Sequence, residues 1–346
     1  MALWNKQPFE DLLENKLVEK LGPDEGRSFF SRYTCVRDRL IDEVLSEIPG
    51  SEPNLSKHDA LHIKQLLVRA YQLLGDDCKK LSEYELYTLG ISILFHDSGN
   101  LFGRDNHHAK DQVAKVYNGI RGSHPKWRQE RHVILTIIES HTGKERDGSA
   151  SDTLQKVELV SSLENGEKIR IREIASILRF ADELEEGPLR TSFFRQSQNS
   201  GKGSYPESSK PYHEYANITN VVADRGNGRI VIRYHIDFDT KKDARGVKFK
   251  KALEFAYERI IKLDDERQYT KYYSELLLPF KKTEVSFHFS INEIPIEMEL
   301  EPLVFADEIP IPGRKRKKSQ HLQIVTDQNK NYDVKSILKK IQKKIK

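Results

Sequence analysis

Residues 87–100, YTLGISILFHDSGN, govern how the whole chain is read. Leu89, Ile93 and Leu94 recur at helical spacing, and the run ends in His96-Asp97 before Gly99 stops it. Neighbours on a helix point about 100° apart, so an adjacent His-Asp pair reaches one point only at a helix end or between packed helices. Three other segments share the construction, a polar residue finishing an apolar helical face. In residues 61–74 (LHIKQLLVRAYQLL), His62 shares a face with Leu66, Ala70 and Leu73. In 132–143 (HVILTIIESHTG), His141 follows Ile134, Ile137 and Ile138, and Gly143 ends the run. In 172–184 (REIASILRFADEL), Asp182 follows Ile174 and Leu178.

Each of these faces is expected to point into a core. Burying one carboxylate without a partner costs several kcal/mol, and burying several is prohibitive unless a cation lies among them. A divalent metal bound by two imidazoles and two carboxylates satisfies all four groups at once and suits Mn²⁺, Fe²⁺, Co²⁺, Ni²⁺ or Zn²⁺.

The ordered set His62, His96-Asp97, Asp182 resembles the H…HD…D signature of the HD superfamily of metal-dependent phosphohydrolases, which have an all-helical core. The local wording agrees. Residues 57–67 (KHDALHIKQLL) are similar to the first motif of that superfamily, 93–100 (ILFHDSGN) to its HD motif, and 177–185 (ILRFADELE) to its final Asp helix. Residues 102–111 (FGRDNHHAKD) and 137–144 (IIESHTGK) resemble the extra histidine positions of HD members that hold two metals or use a catalytic His. Within the superfamily, HDSGNLFGR (96–104), HTG (141–143) and LRFADELEEGPLRTS (178–192) are most similar to HD domains of bacterial conflict and defence gene clusters, which implies a role in antiviral defence. The likeness covers about residues 55–195.

By that resemblance, His62, His96, Asp97 and Asp182 bind the first of one or two divalent ions (Mn, Mg, Fe, Co, Ni or Zn). His108 and His141 then bind a second ion or contact the attacked phosphate. Val113, Val116 and Ile120 continue the helical face better from His108 than from the adjacent His107, which leaves His107 as a substrate contact. Asp97 is the expected residue to orient or deprotonate the attacking water, and His108 or His141 the one to protonate the leaving oxygen. Arg104 and Lys144 lie where they could clamp phosphate oxygens, with a plain surface role as the other reading. His58, one turn before His62, supports the ligands, contacts substrate or is a satisfied buried histidine. No Gly-rich phosphate loop or G-x-S-x-G elbow is present, and Cys35 and Cys78 have no nucleophile context.

The implied reaction is hydrolysis of a phosphoester or phosphoanhydride of a nucleotide, dNTP or cyclic or oligonucleotide, by a metal-activated water. A metal-dependent nuclease on DNA or RNA is the neighbouring alternative. An HD module that senses a nucleotide without turning it over is the alternative from another class.

The rest of the chain sets the context. The periodicity predicts an α+β fold: N-terminal helices over 1–54 packing on the core, a helical core over 55–195 that the resemblance makes HD-type, an α+β accessory region over 212–310, and a basic tail over 314–346 whose end, VKSILKKIQKKIK, reads as a short basic amphipathic helix. In the accessory region, Tyr215 to Asp239 reads as a hairpin around Gly226-Asn227-Gly228, Val247 to Ile261 as helix, and Glu284 to Leu300 as strand. A sheet edge there offers a surface for a second copy of the chain. Of the 346 residues, 37% are hydrophobic and 32% charged, and no run approaches a membrane span. Two cysteines build neither a disulfide framework nor a zinc ribbon. The start, MALWNKQPFEDLLENK, lacks the form of a secretory signal, so a cytoplasmic location is expected. Net charge is +4, yet 314–346 carries twelve Lys/Arg against Asp327 and Asp333, leaving the remainder acidic. That asymmetry predicts a nucleic-acid contact through the tail, or a solvated tail that aids solubility or docks on the acidic body.

Overall fold

The helix that ends in His96-Asp97 runs from Glu83 to Phe95 and opens on a capping box. The Ser82 hydroxyl accepts from the Glu85 N–H at 3.1 Å, and the Glu85 carboxylate accepts from the Ser82 N–H at 3.0 Å. Every residue from Tyr84 to Phe95 is buried, so this helix is central and needs no polar face. Glu85, the one charged residue in that stretch, is paired with Arg170 (Nε–Oε1 2.8 Å). The computed structural model describes residues 4–51, 56–104, 109–122, 127–142, 152–192, 195, 205–307 and 320–345. The chain is α+β, with a helical first part and a mixed second part. It divides into two units, Met1–Glu185 with Tyr269–Leu278, and Glu186–Gln268 with Pro279–Lys346.

The first unit contains α1 (Pro8–Leu21), α2 (Pro23–Leu40), α3 (Ile48–Ser51), α4 (Ala60–Leu74), α5 (Glu83–Phe95), α6 (Lys110–Arg121), α7 (Arg128–Ser140) and α8 (Ile171–Leu184). A two-residue hairpin, β1 (Ser161–Ser162) with β2 (Lys168–Ile169), precedes α8. Helices α1 and α2 pack on α5, and Phe9, Leu13 and Leu17 of α1 are fully buried. Gly26 lets α1 and α2 approach closely: a Cβ there would stand 2.5 Å from the Val18 Cα and 2.6 Å from the Leu17 carbonyl oxygen. Backbone cannot swing aside as a side chain can. Gly26→Ala is therefore expected to destabilise the protein by about 1–3 kcal/mol despite the higher helix propensity of alanine, read as a lowered melting temperature. An unchanged or raised value would contradict the close packing.

The second unit contains α9 (Lys210–Ile218), β3 (Thr219–Asp224), β4 (Arg229–Phe238), α10 (Val247–Tyr272, its last turn grouping with the first unit), β5 (Lys282–Ile291), β6 (Ile294–Ile296), β7 (Leu303–Ala306), α11 (His321–Gln328) and α12 (Val334–Lys344). β3 and β4 form the antiparallel hairpin, with Val221 opposite Ile232. β5 then lies parallel to β4 in register from Arg229–Lys282 to Phe238–Ile291, which requires a crossover, and α10 supplies it. β6 and β7 both pair antiparallel with β5. Alternation puts Ile230, Ile232, Tyr234, Ile236 and Phe238 of β4 on the buried face. Aromatic contacts from α10 complete that core, Phe249 against Phe238 (5.7 Å between ring centroids) and Tyr257 against Phe287 (5.8 Å).

Three expectations change here. Residues 215–218 belong to α9 and not to the hairpin, because Tyr215 and Ala216 bury on a helical face that Pro211 starts. The strand read over Glu284–Leu300 breaks at Asn292-Glu293, whose φ of 49° and 69° make the two-residue turn between β5 and β6. The end of the chain is not a bare tail: Val325, Tyr332, Val334, Ile337 and Ile341 are buried within the second unit, and the Tyr257 hydroxyl donates to the Tyr332 carbonyl at 2.8 Å. The cluster Arg314–Lys318 lies outside the described residues. Among the described residues no helix is long and apolar enough to cross a membrane.

Candidate metal centre

Helix ends bring the site together, on the mutually packed helices α4, α5, α7 and α8. The Asp59 carboxylate caps α4 by accepting from the Leu61 and His62 N–H groups (3.0 and 3.2 Å), which fixes His62 in the first turn. At the other end of α5, His96 keeps helical angles (φ −53°, ψ −40°) while Asp97 turns to φ −106°, ψ 6°. That change of backbone lets two adjacent side chains converge. Asp182 stands in the last turn of α8, and His141 follows the last residue of α7. The C-terminal ends of α5, α7 and α8 add partial negative charge, which favours a cation.

Four donor atoms meet within 4.8 Å of one another, from His62, His96, Asp97 and Asp182. Nε2 of His62 and Nε2 of His96 are 3.2 Å apart. Asp97 Oδ2 is 3.0 Å from the His96 nitrogen and 3.5 Å from that of His62, and Asp182 Oδ1 is 3.7 Å from each. Donors around one ion with bonds of about 2.1 Å are separated by about 3.0 Å at right angles and about 3.4 Å in a tetrahedron. The set therefore fits a divalent ion with mixed imidazole and carboxylate ligands.

The imidazoles are held in the tautomer such a site needs. His62 Nδ1 donates to Glu185 Oε2 (2.9 Å), and His96 Nδ1 to the Ile93 carbonyl (2.8 Å). His141 Nδ1 donates likewise to the Ile138 carbonyl. In each ring Nε2 is thus the nitrogen left to act as a ligand. His58 differs: Nδ1 is bonded to the Ser56 carbonyl and Nε2 lies 3.3 Å from Asp97 Oδ2.

Electrostatics follow from this packing. Burial alone would push the His96 imidazolium down, but the Asp97 and Asp182 carboxylates reverse it and push its pKa up to about 10. Burial also works against the Asp97 carboxylate, yet His96 and His58 hold it well below the usual range, and His96 holds Asp182 low in the same way. The carboxylates stay ionised, and a cation must displace the proton on His96. Affinity for Mn²⁺ or Zn²⁺ is therefore expected to rise with pH, by about tenfold per unit between pH 6 and 9, as titration calorimetry at several pH values would show. A pH-independent affinity over that range would contradict displacement of a proton from His96.

His141 is 7% exposed, with its ring centroid 5.6 Å from that of His96. Asp182, with 27% of its side chain exposed, is the most open of the four clustered residues. Arg104 is exposed beyond the turn Ser98–Phe102. His107, His108 and Lys144 lie outside the described residues.

The sequence reading missed Glu185, which orients His62 from just past the end of α8. It also missed the anchors of the loop that carries His141. The Thr153 hydroxyl lies 3.0 Å from the Ser140 carbonyl and 2.8 Å from that of Thr142, while Arg179 Nη1 donates to Thr153 (3.0 Å) and stacks on Tyr269 (4.4 Å).

A helical core whose helix ends deliver His, His-Asp and Asp to one point defines an HD-type domain. The chain belongs to the HD-CE family, whose model matches residues 52–263. Neither a curated protein nor a solved structure matches it.

Proposed function

We propose that the protein is a metal-dependent phosphohydrolase that cleaves a phosphoester or phosphoanhydride of a nucleotide with water. The observation that carries this reading is the four-donor cluster flanked by two further histidines, His58 and His141. An ion held by His62, His96, Asp97 and Asp182 supplies a Lewis acid for the phosphoryl oxygens and lowers the pKa of a water. Asp97, kept ionised by the three imidazoles within 3.5 Å of its Oδ2, would orient that water as a hydrogen-bond acceptor. Glu185 and the Ile93 carbonyl keep the two ligand rings from rotating. His58, whose Nε2 lies 3.3 Å from Asp97 Oδ2, is the first candidate to pass a proton to a leaving oxygen, and His141 is the second.

The test is phosphate or nucleoside release with Mn²⁺ across dNTPs, cyclic nucleotides, single-stranded DNA and RNA. Turnover of one class, lost in His58→Gln or His141→Gln variants that still bind metal, is the expected result. Silence on every substrate with metal bound would replace this reading by the nucleotide-sensing module. Reduced phage resistance in cells expressing the inactive variant would place the activity in antiviral defence, the context implied by residues 96–104 and 178–192.

A further inference from the structure

We propose that helix α12 and residues 241–251 of the second unit together form a docking surface for the phosphate backbone of a nucleic acid. Val334, Ile337 and Ile341 bury the apolar stripe of α12. Lys335, Lys339 and Lys343 then line one exposed row and Lys340 and Lys344 the next, about 6 Å apart along the axis. About ninety residues earlier, KKDARGVKFKK (241–251) holds six cations against Asp243. Gly246 joins the two: a Cβ there would come within 2.5 Å of Leu338 Cδ1, so this segment lies directly on α12.

The acids within and beside these segments, Asp239, Asp243, Glu254 and Asp333, offset only part of their eleven cations. Asp243 accepts from the Val247 and Phe249 N–H groups (both 2.8 Å), and Asp333 from the Ser336 N–H (2.8 Å). Asp239 accepts from the Lys241 and Lys242 N–H groups and pairs with Lys242, while Lys250 pairs with Glu254. Lys241, Arg245, Lys248, Lys251 and the five α12 lysines are exposed and in no ion pair among the described residues. Like charges gathered this densely repel one another, and a polyanion with closely spaced charges relieves that repulsion. The geometry disfavours a lipid surface, because an interfacial helix inserts its apolar face and the face of α12 is already buried in protein.

This surface lies in the second unit, so its test does not depend on the metal site. Binding of the full chain in EDTA to a fluorescent 24-nucleotide strand, and to the same sequence as a duplex, is measured by anisotropy from 50 to 200 mM salt. Binding to either form, with log Kd rising steeply with log salt, is the expected result. K335Q/K339Q/K343Q should weaken binding at least tenfold at 50 mM salt and flatten the slope by about 2, and R245Q/K248Q should do so by about 1 to 2. Circular dichroism confirms that these exposed substitutions leave the fold intact. No binding at 50 mM salt, or slopes unchanged in both variants, would overturn the proposal. So would tighter binding to phosphatidylserine vesicles than to an oligonucleotide of matched charge.

Discussion

Asp97→Asn is expected to remove divalent-metal binding and, with it, hydrolysis. Oδ2 of Asp97 stands 3.0 Å from His96, 3.3 Å from His58 and 3.5 Å from His62, so one oxygen organises the whole centre. The amide has the same shape, which spares the packing, but it loses a full negative charge in a buried site. A divalent ion there would face one carboxylate where it needs two. Leaving charge uncompensated in the interior costs about 3–5 kcal/mol, or about two to four orders of magnitude in metal affinity. Elemental analysis after dialysis would read the metal, and phosphate release the turnover, with rate falling at least about 10³-fold. A variant that retains stoichiometric metal would remove Asp97 from the ligand set.

The second large effect concerns a residue outside the four-donor cluster. Glu185 accepts from His62 Nδ1 at 2.9 Å, and that bond both turns the ring and increases its basicity. Partners of this kind are worth about 10- to 100-fold in metal affinity. Glu185→Ala is expected near the upper end and Glu185→Gln, which keeps an acceptor but not the charge, near the lower. Metal Kd is the decisive readout, since a purely structural glutamate would move the melting temperature of the metal-free protein and leave the Gln variant binding metal normally.

The contrast between these two residues shows what a sequence carries. His62, His96-Asp97 and Asp182 each close an apolar run of helical period, and a polar group at the end of a buried face is visible without coordinates. Glu185 lies past the end of its run, and its significance comes from a histidine 123 residues earlier, a relation that no local pattern encodes. The same limit governs the fold. The β3–β4 hairpin was readable from its alternation and its Gly-Asn-Gly turn. The parallel pairing of β4 with β5 was not, because its register is set across α10 by the fit of Phe249 and Tyr257 to the sheet. Amphipathicity announced α12 as a helix, but only the contact of Leu338 with Gly246 reveals that its lysines join a second basic stretch.

The four converging donors carry a consequence for folding itself. They come from positions 62, 96, 97 and 182, so an ion bound there ties together stretches of chain that an unfolded polypeptide would hold far apart. Whatever binds only the native arrangement raises its stability, by about 2.7 kcal/mol when the free ion stands at a hundred times its Kd. With an ion bound there, the helical unit would be linked to metal supply through its stability as well as through its chemistry.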